Sequence, residues 1–239
     1  MDKLKHFLIV PFNAGCKDAG WLERRLKLFW AFTAPSIRAQ TNQNFILVML
    51  VDPDTPEDIK LELRLGLHAV LYETESWWAV DRGELVEDVN EEFSQFFSDL
   101  LEDRHGAEWV ITSRVDSDDA LANNYIEETQ KLFREKEEFI IYPNGVMWLK
   151  DSKESFVKKT NSPPFGSLIE PGDGILKTVY YMSHGHIPRM KDHQRFGPAL
   201  MWIHTYHGEN LNTVPRKLDR KLSTEEVLEL FTVDETWLE

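Results

Sequence analysis

The stretch ITSRVDSDDAL, residues 111–121, begins as a short apolar run with β-branched residues and ends in three carboxylates within four positions, Asp116, Asp118 and Asp119. Like charges this close repel one another, and neither a strand end nor a helix start needs three of them. A strand-length run that delivers acids at its carboxyl end is the pattern of an open α/β sheet, where ligands bind in the crevice beyond the strand ends.

Working outward, four further runs of strand length resemble the one that ends here at 109–112. They lie at 6–10, 45–51, 69–72 and 139–142, and are mostly apolar without alternation, as expected of strands covered on both faces. Helical patterns fall between them. Residues 21–31 place Trp21, Leu22, Leu26, Phe29 and Trp30 opposite Glu23, Arg24 and Lys27. Pro35 then restricts the chain, and a short second turn is expected at 36–40. Thr55-Pro56-Glu57-Asp58 is a helix start, with Thr55 as the expected cap. Long amphipathic patterns cover 83–103 and 123–136.

Strand and helix thus alternate to about Tyr142, which predicts a mainly parallel central sheet with helices on both faces. Pro143-Asn144-Gly145 reads as a turn. Beyond it, short β-like pieces at 146–149, 165–169, 178–182 and 199–204 predict an irregular, partly antiparallel second half. The expected organisation is one α/β domain over 1–213, with a nucleotide-binding half (1–142) and an acceptor half (143–213). An amphipathic helix at 223–231 in the tail 214–239 packs on the core or on a partner.

Bulk properties narrow the function. The 239 residues are 42% hydrophobic with eight tryptophans, which suits a packed globular protein. A net charge of −14 without a sustained basic run argues against nucleic acid and anionic membrane surfaces as partners. Cys16 is the only cysteine, so no internal disulfide forms. No apolar run has the length of a membrane span, and residues 7–10 are too short for a signal-peptide core. The expected location is cytoplasmic.

Two carboxylates separated by one residue at a strand end both face the crevice and suit a hard divalent cation. Mg²⁺ and Mn²⁺ take one or two protein carboxylates and leave positions for substrate phosphates. The bland alternative makes Asp119 the cap of a following helix and leaves Asp116 and Asp118 as solvated loop acids. A calcium loop of the EF-hand type lacks its glycine and terminal glutamate here. Asn13-Ala14-Gly15-Cys16-Lys17 carries one glycine and one lysine, too little for the basic loop of a nucleotidyl transferase.

The chain resembles the rhamnosyltransferase-like family of GT-A fold glycosyltransferases. The residues that carry the resemblance are, in order, WLERRLKLF (21–29), PSIRAQT (35–41), DPDTP (52–56), the opening stretch 111–121, YPNG (142–145), SHG (183–185), Met201-Trp202 and HGEN (207–210). It extends over about residues 5–212. The D-x-D by itself is weak evidence, the ordered set is specific for the fold, and nothing in these residues selects rhamnose.

The resemblance implies a Rossmann-like GT-A domain that moves a sugar from a nucleotide-sugar donor to a glycan or other hydroxyl-bearing acceptor. It also implies Mn²⁺ or Mg²⁺ on the D-x-D, with Asp118 as main ligand, Asp116 sharing the site or meeting the ribose, and His207 as a further ligand in preference to His204. Asp52, Asn13, Arg25 and Arg114 are expected near the nucleotide and its diphosphate. An inverting enzyme needs a general base. Asp192 is the choice over Asp173 and His184, in a loop at 184–194 expected to close over the donor. The competing reading is a non-catalytic carbohydrate- or nucleotide-binding protein that keeps the fold.

Overall fold

The computed structural model of the chain describes residues 2–75, 87–181, 193–197, 199–208 and 218–239. Strands β1 (Asp2–Pro11), β2 (Ile46–Val51), β3 (Val70–Glu73) and β4 (Ala107–Arg114) are parallel neighbours in the order β4-β1-β2-β3. The sheet extends past β4 through β9 (Gly166–Pro171), β6 (Glu138–Ile141) and β10 (His193–Arg195), seven strands in the order β10-β6-β9-β4-β1-β2-β3. Among the described residues of this sheet, only β9 runs against its neighbours β4 and β6. The expected α/β architecture with a mainly parallel central sheet is the one the chain forms.

The unalternating strand runs have a direct cause. Leu8 and Val10 of β1 enter one core, Phe7 and Ile9 enter the other, and all four are fully buried. One face is covered by α1 (Ala19–Leu28), α2 (Ala34–Arg38) and α3 (Glu57–Leu67), through Leu22, Ile37, Leu63 and Leu67. The other is covered by α4 (Glu87–Asp103), through Phe93, Phe97 and Leu101. Four of the residues expected in that last helix, 83–86, lie outside the described residues. Between α1 and α2 the backbone makes a π turn, Phe29–Thr33, where Pro35 removes an amide that a regular helix would use.

Several local expectations are corrected. Thr55 does not cap α3: Pro56 holds that position without a side-chain bond, and the Thr55 hydroxyl turns to Asn13. The helix expected at 123–136 is shorter, α5 (Tyr125–Lys131). Asn144 and Gly145 form no turn but open β7 (Asn144–Leu149), because Gly145 sits beneath the Trp202 indole, where a Cβ would lie 2.2 Å from the ring. Residues 178–181 form a turn rather than a strand, with Thr178 at φ 61° and its amide bonded to the buried Glu170 carboxylate.

A second sheet of five strands has the order β12-β8-β7-β11-β5, formed by β5 (Ala120–Leu121), β7, β8 (Glu154–Lys159), β11 (Trp202–Tyr206) and β12 (Lys221–Leu222). All its pairings but β7–β11 are antiparallel, which gives the second half its mixed character. The C-terminal stretch contributes β12 and α6 (Thr224–Leu228), whose start is closed by a Ser223–Glu226 capping box. It packs on the core: Val227 and Phe231 are buried with β1, and the Trp237 ring lies 6.1 Å from those of Phe32 and Trp148. Among the described residues no helix is long and apolar enough to cross a membrane.

Candidate active site at the carboxyl ends of β1 and β4

β1 is the turning point of the parallel region, with β2 and β3 on one side and β4 on the other. A crevice opens beyond the carboxyl ends of strands at such a point. Val115, just past β4, donates its amide to Ile9 O at 3.2 Å, and the Ser117 hydroxyl donates to Phe12 O at 3.2 Å. The acid-bearing loop is thereby fastened to the end of β1.

The three carboxylates have different partners. Asp118 is held between Arg25 Nη1, 2.5 Å from its Oδ1, and His207 Nε2, 2.7 Å from its Oδ2. Burial pushes the Asp118 carboxyl up, but the Arg25 charge and the His207 hydrogen bond outweigh it and hold the group down, at about 2. Asp119 accepts the Thr205 amide at 2.7 Å, tying the loop to β11. Burial, and after it the charges of Asp118 and Asp116, push its carboxyl well above the ordinary range. Asp116 is the most open of the three and faces Arg114 Nη2 at 3.4 Å. Asp119 is therefore not a helix cap: β5 follows it, and its oxygen serves another strand.

On the β2 side, Asn13 and Thr55 exchange side-chain hydrogen bonds at 2.8 and 3.0 Å. The Asp52 amide donates to Asn13 Oδ1 at 3.4 Å, and Asp52 Oδ1 accepts the Asp54 amide at 2.8 Å. Asp52 is buried, and its Oδ2 accepts nothing from the described residues. A buried acceptor of this kind at a crevice suits a donor from a ligand.

Both arginines expected near a diphosphate lie in the crevice. Arg25 packs over the Trp21 ring at 4.7 Å while holding Asp118, and Arg114 is buried over the Tyr180 ring at 4.6 Å. Asp192 and His184 lie outside the described residues. Of the loop read at 184–194, His193 and Gln194 belong to β10. Asp173 follows β9 where β9 pairs with the start of β4, so it sits at the opposite edge of the sheet from the acid loop. His204 accepts from Lys158 Nζ at 2.9 Å rather than joining Asp118 as His207 does. Thr205 and Lys158 escaped the sequence reading, because the partners that give them meaning are 87 and 46 residues away.

Among the described residues no cluster of three or more His, Cys, Asp or Glu side chains is arranged to hold a metal. Asp118 Oδ2 and His207 Nε2 do converge, and Asp116 stands two positions from Asp118 on the same loop. Asp118 and His207 are hydrogen-bonded to one another, and loss of the proton between them would leave Oδ2 and Nε2 able to hold a hard cation that draws its remaining ligands from substrate phosphates and water.

Among solved structures, the chain is similar to S. aureus TarS 1–349 in complex with UDP, at 16% identity and a TM-score of 0.44, over 84% of this chain and 60% of that one. It is also similar to the inositol-1-phosphate CTP transferase from T. maritima, at 14% identity and a TM-score of 0.42, over 88% and 92%. At this distance neither likeness bears on activity, and the chain spans less than two thirds of the TarS fragment. No curated protein matches. The family model described as putative rhamnosyl transferase matches residues 14–217, a span that takes in the acid loop, Asp52 and His207, and the chain belongs to that family.

Proposed function

We propose that this protein is a glycosyltransferase that moves a hexosyl or deoxyhexosyl group, rhamnose among the candidates, from a nucleoside-diphosphate donor to a hydroxyl-bearing acceptor such as a glycan. The observation that carries the reading is the buried Asp118 carboxylate, held between Arg25 and His207 at the carboxyl end of the central parallel strands. Family membership supports it.

Breaking the bond between sugar and phosphate builds negative charge on the leaving diphosphate. In this reading Asp118 and His207, with Asp116 beside them, would hold Mn²⁺ or Mg²⁺, which would supply Lewis-acid stabilisation of that charge. Arg25 and Arg114 add fixed positive charge on the same side of the crevice. Asn13 positions the Asp52 backbone, and Asp52 Oδ2 accepts a hydrogen bond from the nucleoside. Oxocarbenium character at the sugar carbon is favoured by neighbouring carboxylate.

The test is calorimetric titration of the protein with UDP, GDP and dTDP, with and without Mn²⁺, followed by release of nucleoside diphosphate from the matching sugar donors. Metal-supported binding of one nucleotide together with turnover of its sugar conjugate is expected. Binding without turnover across a broad acceptor panel would favour a binding protein that retains the fold.

A further inference from the structure

β11 carries a second, largely buried polar cluster that the nucleotide crevice does not use. Trp202, His204 and Tyr206 alternate along β11 and share one face. Lys158 reaches them from β8, two strands away across β7. Gly145 lies directly opposite Lys158 in the β7–β8 pairing, and the Trp202 ring covers it. Lys158 Nζ donates to His204 Nδ1 and to Tyr206 Oη, both at 2.9 Å, and stands 5.1 and 5.7 Å from the ring centres of Tyr206 and Trp202.

This cation is unusual in a protein with 41 acidic residues. Among the described residues no carboxylate lies within ion-pairing distance of Lys158; its contacts are an imidazole, a phenol and two aromatic faces. Every well-buried lysine needs compensation, and Lys60 finds it in Glu73 and Glu57. Half-buried Lys158 finds none among the described residues, and desolvation lowers its affinity for a proton while the more distant Asp119 only partly restores it. An ammonium has three N–H donors, and two are committed here. The third has no partner among the described residues.

We propose that Lys158, His204 and Tyr206 form a subsite for an anionic group, a carboxylate or a phosphate, carried by the acceptor. The subsite rests on the glycosyltransferase reading for its role but not for its chemistry. His204 and His207 are three residues apart, roughly 10 Å along an extended strand at about 3.3 Å per residue. That separation puts the anion off the Asp118 centre and on the acceptor side, leaving the donor diphosphate to Arg25, Arg114 and the cation.

Calorimetry on the whole protein tests this with three probes: methyl glucoside, methyl glucuronide and glucose 6-phosphate. The wild type is expected to bind each anionic probe at least tenfold tighter than the neutral one. Lys158→Arg should keep that preference and Lys158→Met should reduce it to within twofold, while Mn²⁺-supported UDP, GDP or dTDP binding stays unchanged in both. The proposal is overturned if the wild type does not discriminate, if it binds none of the three, or if Lys158→Met still discriminates. A parallel loss of nucleotide affinity in Lys158→Met overturns it too, since Lys158 would then serve the donor. The ranking in the wild type decides the question even if Lys158→Met fails to fold. Discrimination in a protein that binds no nucleotide would support the subsite and reject the glycosyltransferase reading.

Discussion

His207 Nε2 donates to Asp118 Oδ2 across 2.7 Å, joining two buried side chains 89 residues apart in the chain. The contact closes the crevice between the central sheet and the second sheet, since Asp118 belongs to the loop after β4 and His207 follows β11. With Arg25 on its other oxygen, Asp118 is stabilised as an anion, whereas its neighbour Asp119 is stabilised as an acid.

Adjacent substitutions should therefore act in opposite directions. Asp118→Asn leaves Arg25 with a neutral partner and should cost about 1.5–3 kcal/mol, the range for hydrogen bonds to charged groups. The Asp118 carboxyl is depressed in the folded state, so its contribution is present above the ordinary carboxylate value and is lost as pH falls toward about 2. Asp119→Asn removes a carboxyl whose anion is disfavoured by burial and by the Asp118 and Asp116 charges, and the amide oxygen still accepts from Thr205. It should leave stability at pH 7 unchanged or raised by about 1 kcal/mol. Urea denaturation of both variants at pH 7 measures the two signs, and equal losses would contradict this account.

His207→Ala is expected to weaken Mn²⁺-supported binding of a nucleoside diphosphate at least tenfold, about 1.4 kcal/mol. His204→Ala, directed to Lys158 instead, should change it less than twofold. Titrations with and without metal separate the two, and a matching loss in both variants would place the ligand elsewhere.

Glu170 gives the fold a pH dependence of its own. It is buried on β9 and accepts the backbone amides of Lys177 and Thr178 at 2.6 and 2.9 Å, yet burial outweighs those bonds and pushes its carboxyl up to about 7. A carboxyl raised on folding favours the native state below its unfolded value near 4.5, and the benefit is lost as pH rises through about 7. Wild-type stability should thus fall between pH 4.5 and 7 relative to Glu170→Gln, by roughly 2–3 kcal/mol at about 1.4 kcal/mol per pH unit. Denaturation midpoints across pH 5–8 check it; parallel curves for the two proteins would rule the mechanism out.

Gly145→Ala should be severe, because the added methyl would meet the buried Trp202 ring while Trp202 Nε1 is pinned to Tyr142 O at 2.8 Å. Overpacking of this kind costs about 1–3 kcal/mol, and a rigid indole puts this site at the upper end. Adding Trp202→Phe, which shrinks the obstacle, should recover part of the loss in a thermal melt. Additive losses would show that the two positions do not compete for space.

The sequence by itself determined the parallel half of this protein. β1 to β4 and the helices between them are local patterns: apolar runs of strand length, helical spacing, a proline that forces a break. Their burial on both faces required no knowledge of partners. It also located the acid loop at a strand end, which sheet physics alone makes a ligand crevice. Tertiary structure decided what each acid does. Three adjacent aspartates look alike in sequence, but Asp118 meets Arg25 and His207, Asp119 meets the Thr205 backbone and Asp116 meets Arg114. Two of these carboxyls consequently shift in opposite directions, because a buried charge is governed by what surrounds it in space. The second sheet was hidden for the same reason. β5 and β12 are two residues long and exist only through pairing with distant strands, and Gly145 reads as a turn until the Trp202 ring that occupies its side-chain space is in place.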